Sequence, residues 1–508
     1  MNIKRAKEEI KHSICAYLNK NEYGEYKIPA IRQRPLLLIG PPGIGKTQIM
    51  EQVARECNVA LVAYTITHHT RQSAVGLPFI REKEFGGKTY SVTEYTMSEI
   101  IASVYEKIEQ TGLKEGILFI DEINCVSETL APTMLQFLQC KTFGNQSVPE
   151  GWVIVAAGNP PEYNRSVREF DVVTLDRIKK IDVEADFSVW KEYAYQVGIH
   201  QAVISYLELK KENFYRVETT VDGKLFATAR GWEDLSQMIH VYEELGLPMD
   251  REVVYQYIQH WKIAKDFSNY LELYYKYQKD YKVEEILQGH ISDEACDKIR
   301  RAAFDEKLSV IGLLIARLHE WFRKSEEMDV LVTELYEKMK LVKNRMETKP
   351  VSDILETLCQ KYEEETELQK KAEQLDKDSL HRRMKILQKL EQYRDEIKIT
   401  HQNGEAAFAC VKEKFAEETT VREQVIETTD QMLNFAFDFM EKTFGDSQEM
   451  VIFLTELNTD YYAVKYVDQN GCDRYYQYNK SLLFSEKQKG IMQELNEIEE
   501  LVELPCLS

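Results

Sequence analysis

Positive charge is in short supply in this 508-residue chain. Lys and Arg number 65 against 85 Asp and Glu, a formal net charge of −20. A sequence-independent grip on nucleic acid or anionic lipid needs clustered cations, so neither partner is expected. No run of about 18 apolar residues occurs, which excludes a membrane-spanning helix by length alone. The first ten residues mix charges and lack the apolar core of a secretory signal, so a cytoplasmic location is expected. The nine cysteines, at 15, 57, 125, 140, 296, 359, 410, 472 and 506, form no C-x-x-C pair or metal-ligand spacing, and reduced thiols are their plain reading. Glycine and proline, 22 and 12 in all, become rare beyond about residue 250, where turns must accordingly be few.

What glycine there is concentrates where it matters. Gly40-Pro41-Pro42-Gly43-Ile44-Gly45-Lys46-Thr47 lies between the apolar segment Leu36 to Ile39 and a helical pattern starting at Gln48. Such a G-x-x-x-x-G-K-T run reads as a phosphate-binding loop. Its glycines let backbone N–H groups close on phosphate oxygens, Lys46 reaches the outer phosphates, and Thr47 offers a hydroxyl to Mg2+. Four apolar residues, Ile117 to Ile120, then run into Asp121 and Glu122, the pattern of a buried parallel strand. In doubly wound sheets ligands gather at the carboxyl ends of strands, so both carboxylates should emerge beside the loop. Asp121 suits holding the magnesium ion through water, and Glu122 suits orienting and deprotonating a water. Trp152 to Ala157 predicts another buried strand ending in Gly158-Asn159-Pro160. Asn159 there could bond the attacking water or a terminal phosphate, although Asn before Pro is also ordinary turn chemistry.

Around these motifs the pattern predicts a helix over 2–19, with Ile3, Ala6, Ile10, Ile14 and Leu18 on one face, and a strand over Val59 to Ile66. A hairpin is expected about Gly86-Gly87, then a helix from Ser98 to Gln110 carrying Ile100, Ile101, Val104, Tyr105 and Ile108 on one side, and a helix over 127–140 capped by Ser127.

Taken together, Gly40 to Thr47, Ile117 to Asn124, Val153 to Asn159, Leu175-Asp176-Arg177 and Ala227-Thr228-Ala229-Arg230-Gly231-Trp232 resemble, in order, the signature segments of AAA+ ATPases of the MoxR type. The likeness spans roughly residues 1–245 and is strongest to the branch found beside genes for von Willebrand factor A-like proteins. It implies an α/β fold, an AAA+ P-loop three-layer parallel sheet with a small helical lid. It also implies Mg2+-dependent ATP hydrolysis in a homo-oligomeric ring, expected as a hexamer, with a von Willebrand factor A-like partner. On this resemblance ATP is bound by Gly40 to Gln48, Asp121 and Arg230, and Arg177 is the arginine finger that reaches a neighbour's γ-phosphate. Arg230 matches the second sensor. Here Ile178 follows Asp176-Arg177 where the family has Phe, and Thr-Ala-Arg stands for the commoner Ser-Pro-Arg. The hairpin corresponds to an insertion that lines the ring's pore in relatives; a plain two-stranded flap is the equal alternative.

The second half is mostly helical in texture. Helices are expected over Ala302 to Lys324 and Met328 to Met346, then a long helical arm or coiled hairpin over Ile354 to Ile399, with His381-Arg382-Arg383-Lys385 as a solvated basic face. The aromatics from Tyr255 to Tyr277 read as a helical core with amphipathic edges. Tyr and Val clusters leave Met450 to Leu504 open between helix and strand, and helix is chosen. The expected division is 1–185 for the nucleotide domain, 186–250 for the lid, 251–345 for a helical domain, 346–445 for the arm and 446–508 for a helical tail. The functional expectation is an ATP-hydrolysing remodeller of protein complexes, with a nucleic-acid motor and an ATP-binding regulatory scaffold as alternatives.

Overall fold

In a computed structural model the chain is described over residues 1–480, apart from 69, 144–145, 164–166, 168–169, 222 and 401–403. It forms two compact units, neither continuous in sequence. The first comprises Met1–Val189, Thr228–Gly231 and Lys338–Val411, and the second Trp190–Ala227, Trp232–Glu337 and the chain from Lys412.

The strands, in chain order, are β1 (Leu36–Ile39), β2 (Ala60–Thr65), β3 (Pro78–Phe85), β4 (Lys88–Tyr95), β5 (Gly116–Asp121), β6 (Thr142–Phe143), β7 (Gln146–Ser147), β8 (Trp152–Gly158), β9 (Lys179–Asp182), β10 (Arg216–Thr220) and β11 (Gly223–Ala227). Five of them make a parallel sheet in the first unit, ordered β2-β5-β8-β1-β9. The central strands β1, β5 and β8 are the near-continuous apolar runs, as burial on both faces requires. Register aligns their carboxyl ends: Ile39 pairs with Gly158, Ile120 with Ala156 and Thr65 with Asp121. Gly116 is dictated by packing, because a Cβ there would stand 2.6 Å from the Trp152 ring.

Helices Ile3–Tyr17, Lys46–Glu56 and Glu99–Thr111 flank this sheet in sequence. The first buries Ala6, Ile10 and Ile14 and is capped by the Asn2 side chain, which accepts from Arg5 N–H at 2.9 Å. Helix Glu99–Thr111 buries Ile100, Ile101 and Val104, but Tyr105, expected on the same side, is exposed. The hairpin β3–β4 forms as expected, with Phe85 and Tyr90 exposed beside its Gly86-Gly87 tip. Ser127 does not cap a helix. The segment after it is a turn, and the helix runs over Ala131–Cys140 with Pro132 in its first turn, where a missing N–H is harmless.

Helices Val351–Lys371 and Lys377–Thr400 form a helical hairpin, and it belongs to the first unit. Its turn is tied down: Lys107 pairs with Glu373 at 3.0 Å and Gln374 donates to Asn58 at 2.9 Å. Leu390 and Ile397 are buried, whereas Leu368 and Met384 of the same apolar series are exposed. Arg383 is not merely solvated. Its guanidinium covers the Tyr362 ring at 4.5 Å and donates to Thr366 Oγ1 at 3.0 Å, linking the two helices.

The expected helices 302–324 and 328–346 are one helix, Phe304–Arg345, because Ser325-Glu326-Glu327-Met328 offers neither Gly nor Pro to break it. In the second unit Tyr206, Trp232 and Phe267 pack as an aromatic core with centroids 5.2–5.7 Å apart. The antiparallel pair β10–β11 lies within residues 186–250, the stretch expected as a helical lid. Helices Gln448–Thr459 and Tyr461–Asn470 settle the ambiguous tail as helical up to that point; Leu482 to Leu504 lies outside the described residues. No helix of the described residues is long and apolar enough to cross a membrane.

Candidate active site

The loop Gly40 to Gly45 leaves β1 and delivers Lys46 and Thr47 to the first turn of helix Lys46–Glu56. Gly43 and Gly45 have φ of 75° and 90°, the left-handed region where only glycine is unstrained. Gly43 also packs closely: a Cβ there would lie 3.3 Å from Thr228 Oγ1. Gly40 has the same constraint from Val183 O, at 2.8 Å.

Lys46 is buried, and its ammonium donates to three neutral oxygens: Gly40 O and Pro41 O at 2.8 Å and Asn159 Oδ1 at 2.9 Å. Loss of hydration pushes its pKa down from 10.5 to about 8; Asp121 and Glu122 oppose this and Arg230 reinforces it. A buried cation solvated only by neutral oxygens is matched to an incoming anion.

Thr47 Oγ1 donates to Asp121 Oδ2 at 3.0 Å, which joins the loop to the end of β5. Glu122, the next residue, is held at φ 56°, a left-handed conformation that costs a non-glycine residue about 1 kcal/mol. Two bonds support it: its N–H donates to Asp121 Oδ1 at 2.9 Å, and its Oε2 accepts from Thr67 Oγ1 at 2.8 Å. Asn159, past the end of β8, is fixed through its backbone. The Asn124 side chain donates to Asn159 O at 2.7 Å and accepts from Asn159 N at 3.3 Å. Gly158 leaves room for this clamp, since a Cβ there would come within 2.5 Å of Asn124 Oδ1.

The chain therefore brings Gly40 to Thr47, Asp121, Glu122 and Asn159 to one place at the carboxyl ends of β1, β5 and β8. Gln48 follows on the exposed side of the helix, its Oε1 beside Gly45. Arg230 joins them through its backbone, donating to Gly43 O at 3.1 Å, with its side chain exposed and its charge felt at Lys46. Arg177 stands apart, exposed and donating to Gln139 Oε1 at 2.5 Å. Ile178 behind it is buried among core residues, an apolar role an aliphatic side chain fills as Phe would. Sequence reasoning missed Thr67, Thr228 and the clamping role of Asn124. Asn124 had a signal, since it follows the acidic doublet by two residues; Thr228 sits in the segment already marked by Arg230, and Thr67 in an otherwise unmarked one.

A phosphate-binding loop, an acidic strand end and a polar strand end meeting at the carboxyl edge of a parallel sheet have the arrangement of a P-loop nucleotide site. In agreement, residues 36–175 match the model of the ATPase family associated with various cellular activities (AAA). The match runs from the first residue of β1 to Leu175, so this part of the chain is an AAA ATPase domain. No curated protein matches the chain.

Proposed function

We propose that the protein is a Mg2+-dependent ATPase acting as a homo-oligomeric ring, expected as a hexamer, that remodels partner protein complexes with a von Willebrand factor A-like protein. The observation that carries the ATPase half is the Thr47–Asp121 contact beside the Lys46–Asn159 bond. Thr47 Oγ1 and Asp121 Oδ2 are an oxygen-only pair, which fits a hard cation such as Mg2+. These two residues would hold the ion, directly or through water, and it would neutralise charge on the phosphates when bound.

The remaining work falls to the chain's own groups. Loop amides and Lys46 hold the β- and γ-phosphates, and Glu122 accepts the proton of the attacking water once it leaves Thr67. Asn159, swung off Lys46 by the phosphate, is placed to bond that water or the γ-phosphate. Arg230 contacts the nucleotide in its own subunit. Arg177, exposed and bonded to Gln139 rather than to its own loop, acts in the neighbouring subunit. The net charge of −20 favours protein over nucleic-acid clients.

The test uses turnover and mixing. Glu122→Gln should bind ATP while hydrolysis falls about 100-fold or more. Arg177→Ala should lose about 10³-fold and, mixed with Glu122→Gln, should recover part of the activity. Mixtures that stay inactive would refute a trans-acting arginine. Pull-down with the Glu122→Gln protein and ATP should enrich a von Willebrand factor A-like protein, and its absence would remove that partner.

A further inference from the structure

The second unit gathers two imidazoles and a carboxylate for which the phosphate chemistry has no use. His200 is buried at the N-cap of helix Gln201–Leu209, and His240 and Glu243 lie one turn apart on helix Ala229–Leu245. One ligand atom from each residue lies within 4.8 Å of the others, and among the described residues no other group of His, Cys, Asp or Glu converges so. His200 Nε2 faces Glu243 Oε1 at 3.1 Å, and the imidazole centroids are 5.0 Å apart.

We propose that His200, His240 and Glu243 form a binding site for a borderline divalent transition metal, with Zn2+ the ion their chemistry fits best. Two imidazole nitrogens and one carboxylate oxygen are a zinc ligand set that leaves a further position for water. Mg2+ and Ca2+ prefer oxygen-rich shells and are disfavoured. The i, i+3 spacing sets two ligands on one helix face, and the third arrives from a separate element, as a chelate needs.

Groups around the trio behave as the outer shell of such a site. His240 Nε2 stands 3.1 Å from Gly198 O, which can only accept, so Nε2 carries the proton and Nδ1 keeps its lone pair for a metal. Tyr275 bonds Glu243, and Glu244 adds negative charge near His240. His200 needs one rearrangement. Its Nδ1 accepts from Ala202 N–H at 3.2 Å, so its proton is on Nε2, facing Glu243. A metal on Nε2 displaces that proton to Nδ1 and gives up the Ala202 contact, with no net proton lost from the ring.

Full-length protein stripped with a chelator and titrated with Co2+ should develop intense visible d–d absorption that saturates at a single ion per chain and vanishes on adding Zn2+. His240→Ala and Glu243→Gln change exposed side chains and should lower Co2+ affinity by about 100-fold or more, and Tyr275→Phe by about 10-fold. Unchanged far-UV circular dichroism of the metal-free variants shows that folding is intact. Zn2+ should raise the melting temperature of the parent protein and not of the two ligand variants. Absence of a cobalt band, or a band of unchanged affinity in both variants, overturns the proposal.

Discussion

Lys46 makes nucleotide affinity depend on pH in a direction that can be worked out. Its free-state pKa is about 8 because burial strips its hydration. Bound triphosphate supplies the missing negative charge and should return the pKa to at least the ordinary 10.5. Binding then takes up a proton above pH 8, so affinity must fall as pH rises. With those two pKa values, the dissociation constant weakens by about 20-fold between pH 7.5 and 9.5, or about 2 kcal/mol. The terminal phosphate, with a second pKa of about 6, is fully ionised across this range and adds no slope. The measurement is titration of the Glu122→Gln protein with ATP by calorimetry, in buffers of different ionisation enthalpy so that proton uptake is read directly. Affinity that is flat from pH 7.5 to 9.5, or no proton uptake at pH 9, would refute the depressed pKa. Stability has the complementary sign. The unfolded lysine holds its proton up to about 10.5 and the folded one only to about 8, so the nucleotide-free protein gains stability as pH rises between them, by up to about 3 kcal/mol. Lys141, also buried and pushed to about 8 by desolvation, adds the same trend, which is why binding rather than melting isolates Lys46.

Other expectations test the frame around the site. Gly158→Ala should clash with Asn124, cost about 1–3 kcal/mol in urea unfolding and slow hydrolysis by misplacing Asn159; unchanged stability and turnover would refute the clamp. In the second unit, buried Lys191 and Glu456 pair at 2.5 Å, with Tyr195 donating to the same carboxylate at 2.5 Å. Lys191 keeps a second carboxylate, Glu208, at 2.8 Å, so Glu456→Ala should cost about 1–3 kcal/mol, chiefly by orphaning the buried Tyr195 hydroxyl, and no measurable loss would contradict the burial. Thr67→Val should leave stability within about 1 kcal/mol, since Thr67 is exposed, while freeing Glu122; turnover and unfolding measured together would separate these effects.

The sequence by itself determined the phosphate-binding loop, the strands β1, β5 and β8, the acidic doublet and the mostly helical second half. Each follows from a local rule: glycines at left-handed positions, unbroken apolar runs in a buried parallel sheet, and long stretches without breakers. Helix ends were less legible, as at Ser127 and across residues 325–328, because a cap or a break is a small energy that neighbouring packing overrides. Only the tertiary structure decided that Lys338–Val411 returns to the first unit, that Asn124 clamps Asn159, that Thr67 holds Glu122 and that His200 meets His240 and Glu243. Those pairings join residues up to a few hundred positions apart. They are set by strand order and helix packing, which residue spacing along a chain does not record.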